Sequence, residues 1–237
     1  MSIRIDASGD RIRRTTNLID YNAAYWVDFW YYIVANNGAP AQAIVTLSAS
    51  GSAYDELYMN SSLQLQFEVG AAGTTTVAGS TLSTGTWYRI SVVRTTDANI
   101  FVYLNGVLDI TNTRSVAGRI AVVNFDFGSN AFSEWSDARY SAISVWATSG
   151  TAAEVANRIT ILPKKFDSIN GWYPTFPGAT ERLADYSGNG RNWTEAGTLT
   201  DEDPPPVSWG ARSLYPQFVA AAAGGTILRQ MMAHHGD

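Results

Sequence analysis

WYRISVVRTTDANIFVYLNGVLDI, residues 87–110, carries three runs of β-branched and aromatic residues separated by two turn signals. The second signal, Asn105-Gly106, sits between apolar alternations. A two-residue type I′ turn needs positive φ at both central positions, so this dipeptide predicts a hairpin with antiparallel flanking strands. Working outward, YWVDFWYYIV (residues 25–34) puts Tyr25, Val27, Phe29, Tyr31 and Ile33 on one face and Trp26, Asp28, Trp30 and Tyr32 on the other, which reads as a central strand. Residues 62–69 alternate Leu63, Leu65, Phe67 and Val69 with Gln64, Gln66 and Glu68, the period-2 pattern of a strand with one wet face. Further strands are expected at residues 2–6, 12–16, 41–47, 119–127 and 139–147. One helix is signalled, where Thr151-Ala152-Ala153-Glu154 forms a capping box before Val155 and Ile159. Many short strands and one short helix predict an all-β, two-sheet antiparallel jelly-roll sandwich.

Composition agrees with a packed β domain and excludes several function classes. Hydrophobic residues make up 46% of the 237 residues and charged residues 16%, enough apolar surface for a core without a disorder-like charge excess. The formal net charge is −5, so no broad positive field is available for a nucleic-acid backbone. There is no cysteine, which removes disulfides, thiolate metal ligation and a cysteine nucleophile. No window approaches the ~18 apolar residues of a membrane span. Residues 1–6 lack the apolar run of a signal peptide, so synthesis in the cytoplasm is expected.

Three segments are expected: a lectin-like β-sandwich over 1–165, a sandwich-completing loop and strand segment over 166–203, and a Pro-led C-terminal arm over 204–237. Pro204-Pro205-Pro206 opens the arm with extended backbone that cannot join a ladder. The apolar residues beyond it, from Trp209 to Met232, are too few to fold alone. A homo-oligomer assembled through this arm is the expectation.

Gly85-Thr86-Trp87-Tyr88, the strand over 100–104, Asn105-Gly106, and residues 140–146 followed by the Thr151–Glu154 helix start together resemble the laminin G-like branch of the concanavalin A-like lectin and glucanase superfamily. Asp185-Tyr186-Ser187-Gly188-Asn189-Gly190 resembles a segment of such modules in phage and bacterial structural proteins. The resemblance implies two stacked antiparallel sheets, a face or loop rim for glycans or proteins, and in some members one Ca²⁺.

Catalytic residues are not evident. The glucanase branch needs paired carboxylates, yet Glu134 and Asp137 fall on opposite faces of an extended chain. The only histidines are His234 and His235, so no Ser/His/Asp set lies in the body. A glycan site would use exposed rings with polar side chains fixing the hydroxyls, and Tyr54, Trp30, Asp28, Trp135 and Asn130 are the candidates. For Asp28, set in an aromatic strand, pairing with an arginine is the default. Trp87 and Trp146 are assigned to the sandwich core. No cofactor is required, and a Ca²⁺ ion, if held, would take oxygens from Asp55, Asp126 and Asp137, with Glu56, Asn130 and Glu134 nearby. The expected function is a non-enzymatic virion or surface structural protein, of capsid-decoration or fibre type, touching host glycans and capsid or tail proteins. A stand-alone carbohydrate-binding module and a glycan-cleaving enzyme are the alternatives.

Overall fold

The computed structural model describes residues 1–15, 18–19, 23–48, 54–70, 75–95, 99–113, 124–129, 134–157, 169–173, 175, 178 and 180–205. Asn130, residues 119–123 of the expected strand over 119–127, and the chain from residue 206 onward lie outside them. The strands are β1 (Ser2–Ile5), β2 (Arg11–Arg14), β3 (Tyr25–Ala35), β4 (Gln42–Ser48), β5 (Tyr54–Met59), β6 (Gln64–Gly70), β7 (Thr75–Thr81), β8 (Trp87–Arg94), β9 (Asn99–Leu104), β10 (Val107–Thr113), β11 (Asn124–Phe127), β12 (Asp137–Trp146), β13 (Ile169–Tyr173), β14 (Thr194–Ala196) and β15 (Thr200–Glu202), with one helix, α1 (Ala152–Asn157). The first sheet runs β10-β9-β8-β3-β12-β1-β15, with β13 also on β12, and the second runs β14-β2-β11-β4-β5-β6-β7. All pairings between these strands are antiparallel.

β3 is the middle strand of the first sheet, and its odd-numbered face, Tyr25, Val27, Phe29, Tyr31 and Ile33, is fully buried between the sheets. There Phe29 meets Phe127 edge-on at 5.1 Å, and Tyr140 stands 5.3 Å from Tyr31 and 5.7 Å from Phe127. Such ring pairs add about 0.5–1.5 kcal/mol each beyond the area they bury. The even face of β3 looks the other way. Trp26 stacks on Trp146 at 4.5 Å, and with Val93, Tyr103, Ile169 and Val155 of α1 they form a second, smaller core on the outside of the first sheet. This corrects the placement of two tryptophans. Trp146 is buried, but under α1 rather than between the sheets, and Trp87 is only half-buried, its ring 5.2 Å from that of Tyr32.

The local signals act as their chemistry requires. Asn105 and Gly106 both take positive φ, 52° and 83°, and Leu104 pairs with Val107 across the turn. The Asn105 Oδ1 accepts the backbone N–H of Arg89 at 2.9 Å, which anchors the turn to β8. At α1, the Glu154 N–H donates to Thr151 Oγ1 at 3.2 Å while the Thr151 N–H donates to Glu154 Oε2 at 2.9 Å, the reciprocal capping box. In residues 185–193, Asp185 accepts the backbone N–H groups of Ser187 and Arg191, both at 2.9 Å, and Asn189 Nδ2 donates to the Ile169 carbonyl at 3.0 Å. Trp193 then packs on Phe125, Phe127 and Tyr173. These residues fasten the late strands to the body: β13, β14 and β15 pair with β12, β2 and β1.

Along one side the two sheets are joined. The β10 register shifts between Leu108 and Ile110, and Asp109 at that shift accepts the Ser80 N–H at 3.0 Å and the Ser80 hydroxyl at 2.5 Å, linking edge strand β10 to edge strand β7. A bulge is what turns a side chain out of the ladder for such a contact. Gly79 makes room for it, because a Cβ there would collide with the Asp109 carboxylate.

Candidate functional site on the second sheet

β5 alternates between the core and the outside. Leu57 and Met59 face inward and are fully buried, which sends Tyr54, Glu56 and Tyr58 to the outer face of the second sheet. On β6 the inward residues are Leu65, Phe67 and Val69, leaving Gln66 and Glu68 outside. Antiparallel partners share a face, so register places Arg13, Asp126, Thr46, Glu56, Glu68 and Thr76 in one polar row across five strand pairings. Over β5 and β6 this face opens into a hollow of about 520 Å³ lined by Pro40, Ala41, Tyr54, Glu56, Tyr58, Glu68 and Glu134. Pro40, Ala41 and Glu134 come from the segments just before β4 and β12.

The side chains in the hollow are held in place. Tyr54 Oη donates to Glu68 Oε1 at 2.5 Å, Thr76 Oγ1 to Glu68 Oε2 at 3.4 Å, and Thr46 Oγ1 to Glu56 Oε1 at 2.9 Å. Gly70, opposite Tyr54, has no side chain where the Tyr54 ring lies, and a Cβ there would collide with the ring. Burial pushes the Tyr54 hydroxyl well above the ordinary tyrosine range, and its bond to Glu68 and the charges of Glu68, Glu56 and Glu134 push it further. Tyr58 is raised by burial first and then by Glu68. Both phenols therefore stay protonated and neutral at physiological pH. Two rings with fixed hydroxyls, beside three carboxylates that accept hydrogen bonds, match what a polyhydroxylated ligand needs from a protein surface.

The residues singled out from sequence do not converge. Tyr54 lines the hollow, and Trp135 is half-buried next to Glu134, its carbonyl accepting from Asn37 Nδ2 at 2.6 Å. Asp28 and Trp30 lie on the outer face of the first sheet, on the opposite side of the sandwich. Asp28 is buried and held by Arg89 Nη2 at 2.7 Å, Arg89 Nε at 3.0 Å and Ser91 Oγ at 2.5 Å. It is part of a buried ion pair and offers no face to a ligand. Asn130 lies outside the described residues.

Asp55, Asp126 and Asp137 stand on strands rather than in loops, and the structure does not bring them together. Asp55 faces the core, 3.7 Å from Arg94 Nη1. Asp126 takes a two-pronged bond from Arg13, at 2.6 and 2.7 Å, on the outer face. Asp137 bonds Arg4 at 3.3 Å. Burial raises the Asp126 and Asp137 carboxyls above the ordinary value, and their arginines offset this only in part. Among the described residues no three acidic or histidine side chains stand close enough to hold a metal ion. Nor, among those residues, is any helix long and apolar enough to cross a membrane.

Glu68 and Tyr58 had not been read as site residues. Glu68 stands in the outward row of the strand over 62–69, whereas Tyr58 lies on β5, and only the pairing of β6 with β5 puts Glu68 opposite Glu56 and Gln66 opposite Tyr58.

Two stacked antiparallel sheets with one short helix are the architecture of the lectin-like β-sandwiches. Residues 6–156 match the laminin G-like family model of the concanavalin A-like lectin/glucanase superfamily, and the chain belongs to that superfamily. No curated protein matches the chain. Among solved structures, the heptameric SAP-like pentraxin of Limulus polyphemus is similar at 16% identity and a TM-score of 0.56, over 84% of this chain and 94% of that one. A sialidase of Trypanosoma rangeli in complex with sialic acid is similar at 13% identity and a TM-score of 0.53, over 67% of this chain and 27% of the sialidase. At these identities the likeness is one of fold.

Proposed function

We propose that this chain is a non-catalytic, lectin-type domain of a virion or other particle-surface protein, and that it contacts glycans in the hollow over β5 and β6. The observation that carries the reading is the lining itself: Tyr54 and Tyr58 line one hollow together with Glu56, Glu68 and Glu134. Tyrosine faces suit the apolar side of a pyranose, and fixed carboxylates accept its hydroxyls. The placement of both histidines at residues 234–235 counts against a Ser/His/Asp or other histidine-dependent reaction in the hollow. The particle-surface part is supported by the apolar composition of residues 207–237, which suits docking on a neighbouring subunit.

A glycan array tests the reading. The protein should bind a restricted set of oligosaccharides, Tyr54→Ala should abolish that binding, and Trp30→Ala on the opposite sheet should leave it intact. Equal loss from both variants, or from neither, would overturn the assignment to the hollow. Release of reducing ends from the bound glycan would overturn the non-catalytic part. Light scattering on a chain truncated after Pro206 tests assembly: an unchanged oligomeric state would remove the arm from that role.

A further inference from the structure

Resting on the arm-mediated assembly proposed above, we infer that residues 206–237 of one copy dock on the outer face of the first sheet of a second copy, on a surface formed by Val107, Leu108, Tyr32 and Trp87. Among the described residues, Val107 and Leu108 are the large apolar side chains left exposed, at 71% and 50%, and they stand together where β10 leaves the Asn105-Gly106 turn. Leu108 pairs with Tyr103, Tyr103 with Ser91, and Ser91 with Asp28, so register turns Leu108 to the outer face. On that face Val155 of α1 packs on the Trp26–Trp146 core at one end. Tyr32 and Trp87 stand at the other end and are only half-buried. Exposed apolar side chains gathered beside half-buried rings mark a contact surface.

The chain beyond Pro205 supplies a matching occupant. Trp209, Leu214, Tyr215 and Phe218 follow closely on the prolines, and Arg212, Arg229 and Asp237 are the arginines and acids of the whole segment. The chain leaves the sandwich after β15, at one edge of the first sheet, whereas Val107 and Leu108 lie on β10 at the other. Within one copy, the way along the outer face from β15 to Tyr32 crosses an ionic strip. There Arg4 pairs with Asp137 and Glu202, Arg139 pairs with Glu202, and the Arg139 guanidinium lies 4.9 Å from the Tyr32 ring. Docked on its own copy, the arm would lay Trp209 over those ion pairs and strip water from them. The arm of a second copy reaches the β10 side from solvent and crosses no such strip. At up to about 3.3–3.6 Å per residue the arm is long enough for either path, so the charges, and not reach, favour the second copy.

The full chain has no cysteine, so a single Leu108→Cys substitution takes a benzophenone label at one place. The labelled protein is mixed with an excess of isotope-labelled wild type and irradiated, and the crosslinked peptides are read by mass spectrometry. Crosslinks should join the benzophenone to peptides within residues 207–237 of the isotope-labelled copy. By sedimentation velocity, Leu108→Asp and, separately, Trp87→Ser should each weaken self-association at least about tenfold, the loss expected of a central contact residue, with the far-ultraviolet circular dichroism unchanged. Crosslinks to the arm of the benzophenone-bearing copy itself, to the same face of the second copy, or to no part of the arm overturn the inference. Association undiminished in either variant overturns it too. If truncation after Pro206 still lowers the oligomeric state in those cases, assembly through the arm stands and only its receptor surface is lost. If the full and truncated chains sediment alike, the inference and the arm reading fall together.

Discussion

Asp28 and Arg89 give a sharp energetic prediction. Both are buried, at 6% and 4% exposure, and Asp28 accepts from Arg89 and Ser91 with no contact farther than 3.1 Å. Asp28→Leu would strand the guanidinium beneath the even face of β3 without its carboxylate, and breaking one side of such a pair costs about 3–5 kcal/mol. Arg89→Met would leave the Asp28 carboxylate with Ser91 alone, at a similar cost. Removing both charges with groups of like volume, Asp28→Leu with Arg89→Met, should recover most of the loss, because the desolvation of two ions disappears with their attraction. Urea unfolding of the four proteins forms a double-mutant cycle with an expected coupling of at least about 3 kcal/mol. If each single variant loses less than about 1 kcal/mol, the pair is wet and the burial argument fails. If the double variant loses the sum of the singles, the pair is not coupled.

Gly70→Ala should displace the Tyr54 ring, weakening glycan binding more than tenfold while changing stability by less than about 1 kcal/mol; unaltered binding would mean the ring's position is irrelevant to the site. Trp146→Ala should cost about 3–5 kcal/mol and Trp87→Ala clearly less, measured by thermal unfolding, and the reverse order would contradict their burial. Gly106→Val forces a β-branched residue to positive φ and should lower stability by about 1–3 kcal/mol, so an unchanged melting curve would remove the turn assignment. For Asp126, a folded-state pKa above the ordinary value means that, as pH rises, the unfolded chain gives up this proton before the folded one does. Its contribution to stability is therefore greatest in acid and declines as pH climbs through the raised folded value. A carboxyl NMR titration should place Asp126 above the ordinary aspartate value of 3.8, and a value below it would show that the Arg13 pair outweighs burial.

The elements legible in the sequence are those whose own residues decide them. Asn105-Gly106, the Thr151–Glu154 capping box and the two faces of β3 all follow from local chemistry. β5 was not legible, because YDELYM reads as an acidic loop until Arg94, on the other sheet, is seen to stand against Asp55 in the core. β7 (TTVAGST) lacks a large apolar residue and becomes a strand through its pairing with β6. Trp87 and Trp146 were misplaced because alternation tells which residues share a face but not which face has a second covering layer. The site suffered in the same way. Tyr54 was visible as an aromatic candidate, but Glu68 gains its meaning from the cross-strand partner, and Asp28, conspicuous in the sequence, has its charge answered by Arg89.

The Asp109–Ser80 link bears on what this protein can polymerise with. An uncovered edge strand is a template for a foreign strand, the step by which sheets extend into fibres. Here β10 is bulged and tied to β7, so the two long edges on that side face each other instead of the solvent around them. Among the described strands, the opposite edges, β14, β15 and β13 beside β12, are three, three and five residues long, short templates for a ladder. Copies of this domain can therefore be crowded together at high local concentration with little risk of sheet-to-sheet growth, and contacts among them are left to side chains and appended segments. Cutting the link with Asp109→Ala would expose the longer edges, and such a variant should show its defect as concentration-dependent thioflavin-positive aggregation before it shows one in folding.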